Sequence, residues 1–216
     1  MTSNLYETIQ RIVREELGQL RTAELAVVQE QHPHSSESDK DNYACTVVLR
    51  DSGLVLEQVP VATPRTGHVS VPDVGNLVLV QFVGGDVNAP VIIGSLYNDE
   101  ERPPLNELGQ VVWHLPLDAG ESEALHLSLQ SGEKRELDLL LGNGLALHLR
   151  DDDPVVELTV DGGKATLQID RDGAVTVTTQ GNIKIESQGN VEITGNEINV
   201  KAQAQLNLKG ATVNIN

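Results

Sequence analysis

The last part of the chain, residues 172–216, carries a short-period repeat of paired apolar residues. Successive pairs begin 8, 8, 7, 8 and 7 residues apart, and Gly-Asn steps separate several of them. Each unit predicts a short strand of alternating residues followed by a turn. A fixed short period of this kind is typical of stacked, quasi-one-dimensional architectures. The pairs consist of Val175, Val177, Ile183, Ile185, Val191, Ile193, Ile198, Val200, Leu206, Leu208, Val213 and Ile215.

An eight-residue unit cannot bury its own apolar pair, because a self-enclosing solenoid coil needs about twenty residues. Leaving twelve such side chains in water would forgo roughly 20–30 kcal/mol, at about 2 kcal/mol each. Several copies of the chain avoid this loss when they wrap together and share their pairs along one axis. The repeat therefore predicts an obligate homotrimer, a fibrous β-prism whose core consists of these twelve residues.

The composition argues against several classes of partner. The net charge is −17, from 15 Lys and Arg against 32 Asp and Glu, so neither nucleic acid nor an anionic membrane surface is expected to bind. One Trp, three Tyr and one Phe provide few rings for stacking on bases or sugars. The single cysteine, Cys45, lies in an apolar stretch and is expected to be a buried structural thiol.

The sequence shows no targeting or membrane-spanning segment. The first residues, Met1-Thr2-Ser3-Asn4, form neither a basic leader nor an apolar run, so we expect synthesis in the cytoplasm without a signal peptide. No run of eighteen apolar residues occurs that could span a membrane.

The first region, residues 1–21, is predicted to be a helix from residue 3 to about residue 20, because apolar residues recur at three-four spacing. This apolar stripe needs a surface to lie on, either the next domain of the same chain or a neighbouring subunit. The stripe consists of Leu5, Ile9, Ile12, Val13, Leu17 and Leu20.

The second region, residues 22–98, predicts five short strands separated by turn-rich segments. This number of strands suits a small closed barrel of the oligonucleotide/oligosaccharide-binding (OB) type. The long polar loop 31–42 is expected to be its mobile part. The predicted strands are 22–30, 43–50, 54–62, 76–83 and 91–96.

The remaining residues predict a linker, a neck and a needle. Residues 99–110 form the linker, because Pro103 and Pro104 cannot continue a strand ladder. Residues 111–164 predict irregular, charge-rich strands that we interpret as a neck of intertwined strands. The regular repeat in residues 165–216 forms the needle. The predicted neck strands are 111–117, 123–130, 135–141, 145–149 and 155–160.

One contiguous stretch carries a family resemblance. It runs from Val71-Pro72-Asp73-Val74-Gly75-Asn76-Leu77-Val78-Leu79-Val80 through Phe82 and Gly84-Gly85-Asp86 to Pro90-Val91-Ile92-Ile93-Gly94-Ser95-Leu96-Tyr97-Asn98. This stretch resembles the central motif of contractile-tail spike proteins, which include phage baseplate assembly protein V, the T4-type central spike and VgrG-like spikes. The order of an OB-like domain followed by a short-period repeat is similar to theirs as well.

The resemblance implies a mainly β fold in which an OB-fold barrel precedes an intertwined trimeric β-helix. It also implies a structural central spike that docks to the baseplate hub below the inner tube and pierces the target envelope on sheath contraction. A PAAR-type tip protein would then cap the C-terminal end at Asn214, Ile215 and Asn216. Phage tails, type VI secretion and other injection systems remain open as the source of the particle.

The sequence predicts no catalytic, cofactor-binding or metal-binding residue. It has no Gly-x-Ser-x-Gly elbow, phosphate loop or His-Glu-x-x-His motif. His32 and His34 are expected to lie in a solvated loop. Some spikes hold iron with a His-x-His motif near the tip, but no histidine follows His148 here. His114, His126 and His148 are expected on neck strands with their hydrogen bonds satisfied, although a three-fold ring of imidazoles is conceivable if one of them faces the axis.

Two other functions fit parts of the sequence. One is an OB-fold ligand-binding protein with a trimerising β-helical tail, against which the negative charge and low aromatic content count. The other is an enzyme of the parallel β-helix type, such as a polysaccharide lyase, which needs self-enclosing coils that an eight-residue period does not supply. We interpret Gly84-Gly85-Asp86 as a tight turn, because the motif occurs once and no predicted helix follows it.

Overall fold

A computed structural model describes residues 2–19, 21–120 and 122–215. The fold is mainly β, with one N-terminal helix and two antiparallel sheets. Helix α1 is Thr2–Gln19. The first sheet contains β1 (Glu24–His32), β2 (Ala44–Leu49), β3 (Val55–Pro60), β4 (Leu77–Phe82) and β5 (Pro90–Leu96). The second contains β6 (Gln110–Leu115), β7 (Leu125–Ser131), β8 (Arg135–Leu141), β9 (Leu145–Arg150), β10 (Val156–Val160), β11 (Ala165–Ile169) and β12 (Val175–Thr179).

The apolar stripe of α1 faces solvent in the described part of the helix. The side chains of Leu5, Ile9, Ile12 and Val13 are all exposed. The side chain of Leu17 and the whole of Leu20, which complete the predicted stripe, lie outside the described residues. None of the helical segments that the structure describes has the length and apolar character needed to cross a bilayer.

The five strands of the first sheet overlap the five predicted strands, in the order β3-β2-β1-β4-β5. The predicted closed barrel is wrong, because the sheet stays open. Only one isolated parallel bridge, Val61 to Ile92, joins its edges among the described residues, and there the Ala62 N–H donates to the Ile92 carbonyl at 2.8 Å. Pro60 and Pro90 lie close to this bridge and have no N–H with which to extend it.

The fully buried core belongs to the first sheet. Cys45 is completely buried in it, and this burial raises the pKa of its thiol, as expected for an inert structural cysteine. Phe82 has the largest of the fully buried side chains, and the guanidinium of Arg21 lies 5.9 Å from its ring centroid. The core cluster consists of Ala26, Val28, Cys45, Val47, Leu49, Val59, Val78, Val80, Phe82 and Ile92.

The connection between β4 and β5 is a tight turn, as predicted for Gly84-Gly85-Asp86. Val83–Gly85 form a single 3-10 turn in which Gly84 has φ 66° and Gly85 has φ 80°. These left-handed values suit glycine, which has no Cβ to clash. The Asp86 carboxylate accepts a hydrogen bond from the Asn88 backbone N–H at 2.9 Å, so it serves the turn itself.

The second sheet is a seven-stranded meander in which every strand pairs with its neighbour in sequence. Strands β11 and β12, from the predicted needle, join the same sheet as the strands of the predicted neck. In the described part of residues 110–179 only Ala124 and Ser128 are buried. The meander is therefore a single layer, with both faces largely uncovered in one copy of the chain.

Residues 180–215 contain no helix or strand in the structure. Their repeated apolar residues are all exposed, from 50% for Val213 to 83% for Ile215. A single copy of the chain offers these side chains no second layer to pack against. The predicted β-prism is not formed by one chain and stays a prediction about the oligomer.

Candidate assembly surface

The two faces of the seven-stranded sheet have opposite character. In β7, Leu125, Leu127 and Leu129 alternate with His126, Ser128 and Gln130, and side chains two residues apart lie on one face. Directly opposed residues of antiparallel strands also share a face. In each pair of neighbouring strands the register places apolar residues opposite apolar residues, with few exceptions. The apolar residues therefore lie on one face of the sheet and most of the polar residues on the other.

The central row of the apolar side crosses the whole sheet. It runs from Trp113 through Leu127, Leu139, Leu147, Leu158 and Leu167 to Val177, each paired with the next. We call the complete set the apolar sheet face. It consists of Val111, Trp113, Leu115, Leu125, Leu127, Leu129, Leu137, Leu139, Leu141, Leu145, Leu147, Leu149, Val156, Leu158, Val160, Ala165, Leu167, Ile169, Val175 and Val177.

The apolar sheet face is large for an apolar patch on the surface of a single chain. Seven strands spaced about 4.8 Å apart, with three rows spanning about 16 Å, cover a flat area of roughly 500 Å². This is near the upper end of the patches that soluble monomers expose, and patches of that size are often interaction sites. Trp113 on one edge strand is 57% exposed and Val177 on the other is 59% exposed, so both edges of the apolar sheet face are accessible to solvent.

The opposite face satisfies its polar groups within the chain. His148 Nδ1 pairs with the carboxylate of Asp138 on the neighbouring strand. Glu157 accepts hydrogen bonds from Gln168 Nε2 at 2.9 Å and from Arg150 Nη2 at 3.4 Å. These cross-strand contacts leave the polar face compatible with water, whereas the apolar sheet face is not.

Ion pairs fasten one end of the meander. The Arg135 guanidinium donates to Asp151 at 2.9 Å, and Lys134 pairs with Asp152. The hydrogen bonds from Arg135 hold the pKa of Asp151 below its ordinary value, and the hydrogen bond to Asp152 raises the pKa of Lys134. The start of β8 is thereby tied to the loop that follows β9. All four side chains are substantially exposed, so we expect each pair to contribute little to stability.

The structure brings together only part of the predicted trimer core. Val175 and Val177 lie on β12 within the apolar sheet face, whereas the other ten members, from Ile183 to Ile215, stay apart in residues 180–215. Of the predicted tip contacts, Asn214 and Ile215 are exposed, and Asn216 lies outside the described residues.

The leucines of β7, β8 and β9 are members of the surface that the sequence-based prediction missed. Their signal was present, because leucine occurs at every second position in 125–129, 137–141 and 145–149. That spacing is typical of strands with one apolar face. What the spacing could not show was the matched register that joins nine leucines into one surface.

The two histidines predicted in a solvated loop have separate positions and partners. For His32 the prediction is wrong, because His32 is the last residue of β1, is partly buried, and its Nε2 lies 2.9 Å from Thr46 Oγ1. His34 lies in the loop, and its Nδ1 is 2.6 Å from Asp39 Oδ1. The Asp39 carboxylate also accepts hydrogen bonds from the backbone N–H groups of Ser35 and Ser36, both at 2.7 Å. The hydrogen bond with His34, together with those from the backbone, holds the pKa of Asp39 well below its ordinary value. The contacts of Asp39 thus give local structure to a loop predicted to be mobile.

Comparison with family models finds a match within the first sheet. Residues 51–97 match the family described as the type VI secretion system/phage-baseplate injector OB domain. The match extends from the turn after β2 to the end of β5 and covers about a fifth of the chain. No curated protein matches the chain. The match confirms the resemblance to the contractile-tail spike family over residues 51–97, which are similar to the injector OB domain of type VI secretion systems and phage baseplates.

Proposed function

We propose that this chain is the structural central spike of a contractile injection apparatus, as part of a phage tail or a phage-tail-like particle. In this role it docks to the baseplate hub below the inner tube and pierces the target envelope when the sheath contracts. The function is mechanical, with no catalytic step and no cofactor. Support comes from an injector-family OB domain joined in one chain to an open apolar sheet and an apolar repeat.

The apolar sheet face is the observation that carries this proposal. Three copies of the chain can turn these faces towards a common axis and remove them from water. Nine of the twenty side chains in this face are exposed in one copy, from 37% for Leu149 to 62% for Val175, and burying each of these contributes on the order of 1 kcal/mol. The other eleven are already partly buried and add less. Summed over three copies, this burial favours a trimer against the loss of translational freedom.

The repeat in residues 180–215 extends the same core towards the C-terminal end. The pairs from Ile183 to Ile215 would meet their counterparts from two other copies, which gives them the second layer that one chain lacks. The end at Asn214, Ile215 and Asn216 is then a small blunt surface suited to a PAAR-type tip protein. A core shared between chains suits a piercing device, because many contacts must break together before it yields.

The opposite end of the molecule is the proposed attachment point. The stripe of α1 presents Leu5, Ile9, Ile12 and Val13 to solvent directly before the injector OB domain. An amphipathic helix with an uncovered apolar stripe suits docking into a groove of a larger assembly. We therefore assign hub docking to α1 together with the first sheet.

The native mass of the purified chain in dilute solution tests the proposal. Three copies of 23.3 kDa give about 70 kDa, and this mass should persist on dilution. A matched pair of substitutions on β10 locates the interface: Leu158→Asp lies on the apolar sheet face, and Thr159→Asp lies on the polar face next to it. We expect Leu158→Asp to lose the trimer and Thr159→Asp to keep it.

Two results would contradict the proposal. A folded wild-type monomer at micromolar concentration would remove the trimeric core from which the piercing role is argued. A trimer that tolerates Leu158→Asp as well as Thr159→Asp would place the interface elsewhere. Co-purification with a candidate hub protein, and its loss when α1 is deleted, tests the attachment separately.

A further inference from the structure

Two histidines of the second sheet face each other at close range. His114 on β6 is directly opposite His126 on β7, and their Nδ1 atoms are 3.2 Å apart. The rings meet edge to face, with centroids 5.5 Å apart and planes at 70°. Both residues are half-buried on the polar face, away from the apolar sheet face. The pair of histidines therefore lies outside the proposed trimer interface.

The second nitrogen of His114 fixes the tautomer of that ring. Its Nε2 lies 2.9 Å from the carbonyl oxygen of Ala119, and a carbonyl oxygen only accepts hydrogen bonds. Nε2 therefore carries a proton, and neutral His114 presents the lone pair of Nδ1 to His126. Histidines that bind metals are commonly held in this way, with the other ring nitrogen donating to a backbone carbonyl.

The distance between the two Nδ1 atoms also suits a bridging ion. Zinc binds imidazole nitrogen at about 2.0–2.1 Å, so an ion touching both atoms at 3.2 Å separation would subtend roughly 99–106°. That angle is close to the tetrahedral value of about 109° that zinc prefers. Without an ion, the two nitrogens must share a proton. A cation can take the place of that proton between the two rings.

We propose that His114 and His126 form a two-histidine site for a divalent transition-metal ion of the zinc class. Among the residues that the structure describes, no group of three or more His, Cys, Asp or Glu side chains is placed to hold a metal, so water completes the coordination. Imidazole ligands suit zinc, copper and nickel. Two protein ligands give weaker binding than the four of a structural zinc site.

The surroundings of the pair favour a cation. Asp73 and Glu101 line the same cleft as His114, at the point where the first sheet meets the start of the second. Their charges attract a cation without acting as ligands. A bound ion would join β6 to β7 and brace the first hairpin of the meander.

Calorimetric titration of the full-length, chelator-treated chain with zinc sulfate tests the site. We expect one ion per chain, and affinity should fall by at least about tenfold in His114→Gln and in His126→Gln, since even outer-shell changes cause losses of that size. His34→Gln and His148→Gln are the matched controls and should bind as the wild type does. X-ray absorption at the zinc edge of the loaded wild type should show two imidazole ligands.

The outcomes separate this site from its alternatives. Wild-type binding no stronger than that of a His114→Gln/His126→Gln double variant would overturn the proposal. Binding that survives the double variant but is lost in His34→Gln would place the ion in the loop before β2 and would overturn it as well. Circular dichroism of each variant shows whether the sheet is intact. The site lies within one chain, so its failure would leave the trimeric spike untouched.

Discussion

At the scale of single residues, Asp39 organises the connection between β1 and β2. Its carboxylate accepts hydrogen bonds from Ser35, Ser36 and Asp41 backbone N–H groups and pairs with His34. These contacts favour the charged carboxylate, which is why its pKa lies well below the ordinary value. A group whose pKa is lowered by folding stabilises the folded arrangement above its unfolded pKa and loses that effect as the pH falls.

We predict that the loop loses order in acid and in Asp39→Asn. In the wild type, protection of the Ser35 and Ser36 amides from hydrogen exchange should decline once the pH falls below about 3.9, the ordinary carboxyl pKa. In Asp39→Asn it should already be low at neutral pH. Exchange rates corrected for intrinsic pH dependence measure both effects. Asp41→Asn is the control and should keep the protection, so equal loss in both variants would contradict the role of Asp39.

At the scale of elements, the turn between β8 and β9 packs against the turn that follows β10. Asn143 and Gly144 both have positive φ, at 77° and 76°. A Cβ on Gly144 would lie 3.0 Å from the Cα of Asp161, whose N–H donates to the Gly144 carbonyl at 2.8 Å. Gly162, in the turn after β10, has a similar φ of 65° but open space where a Cβ would be.

We predict that Gly144→Ala destabilises the second sheet more than Gly162→Ala. Both variants carry the left-handed penalty of about 1–2 kcal/mol. Gly144→Ala adds crowding against backbone, which costs about 1–3 kcal/mol more, for a total of about 2–5 kcal/mol. Urea unfolding followed by the fluorescence of Trp113, the single tryptophan on β6, reports this sheet. An equal decrease in the free energy of unfolding in the two variants would show that the backbone at Asp161 moves away from the added Cβ without cost.

The elements were the most predictable level of the structure. Strand β8 was predicted at 135–141 and is observed as Arg135–Leu141, because alternating leucines identify a strand without any tertiary information. The open edge of the first sheet was not predictable in this way. It depends on how the edges of β3 and β5 meet in space, which the pattern of residues does not show because these strands are far apart in sequence.

The candidate site was predictable only in part. Alternation in each strand was visible, but the alignment of Leu127, Leu139 and Leu147 depends on hairpin registers that the sequence does not show. The same holds for His114 and His126, which are twelve residues apart in sequence and directly opposed in space. The prism core from Ile183 onwards depends on other copies of the chain, and so stays a prediction.

At the scale of the whole molecule, charge opposes the proposed assembly. Three copies at −17 each bring −51 together in one particle. The Debye length shrinks from about 30 Å at 0.01 M salt to about 8 Å at 0.15 M, so salt screens repulsion between copies. Apolar burial is not weakened by this screening.

We therefore predict that moderate salt stabilises the trimer. The urea concentration that dissociates it, followed by native mass, should rise between about 0.01 and 0.15 M NaCl as the Debye length shortens. Potassium chloride should have the same effect, because screening depends on ionic strength and not on the identity of the cation. A trimer that dissociates more easily at the higher salt would show that ion pairs between copies outweigh the repulsion.

The sequential pairing of β6 to β12 has a consequence for the order in which the particle is made. Each strand finds its hydrogen-bonding partner in the strand synthesised just before it, with only three residues between β8 and β9. Contacts so close in sequence form quickly, because little loop entropy is lost in closing each hairpin. The hydrogen-bond pairing of the meander therefore needs strands of one chain only. In the trimer that we propose, three copies meet over residues 110–179 face to face, without the threading of one chain through another.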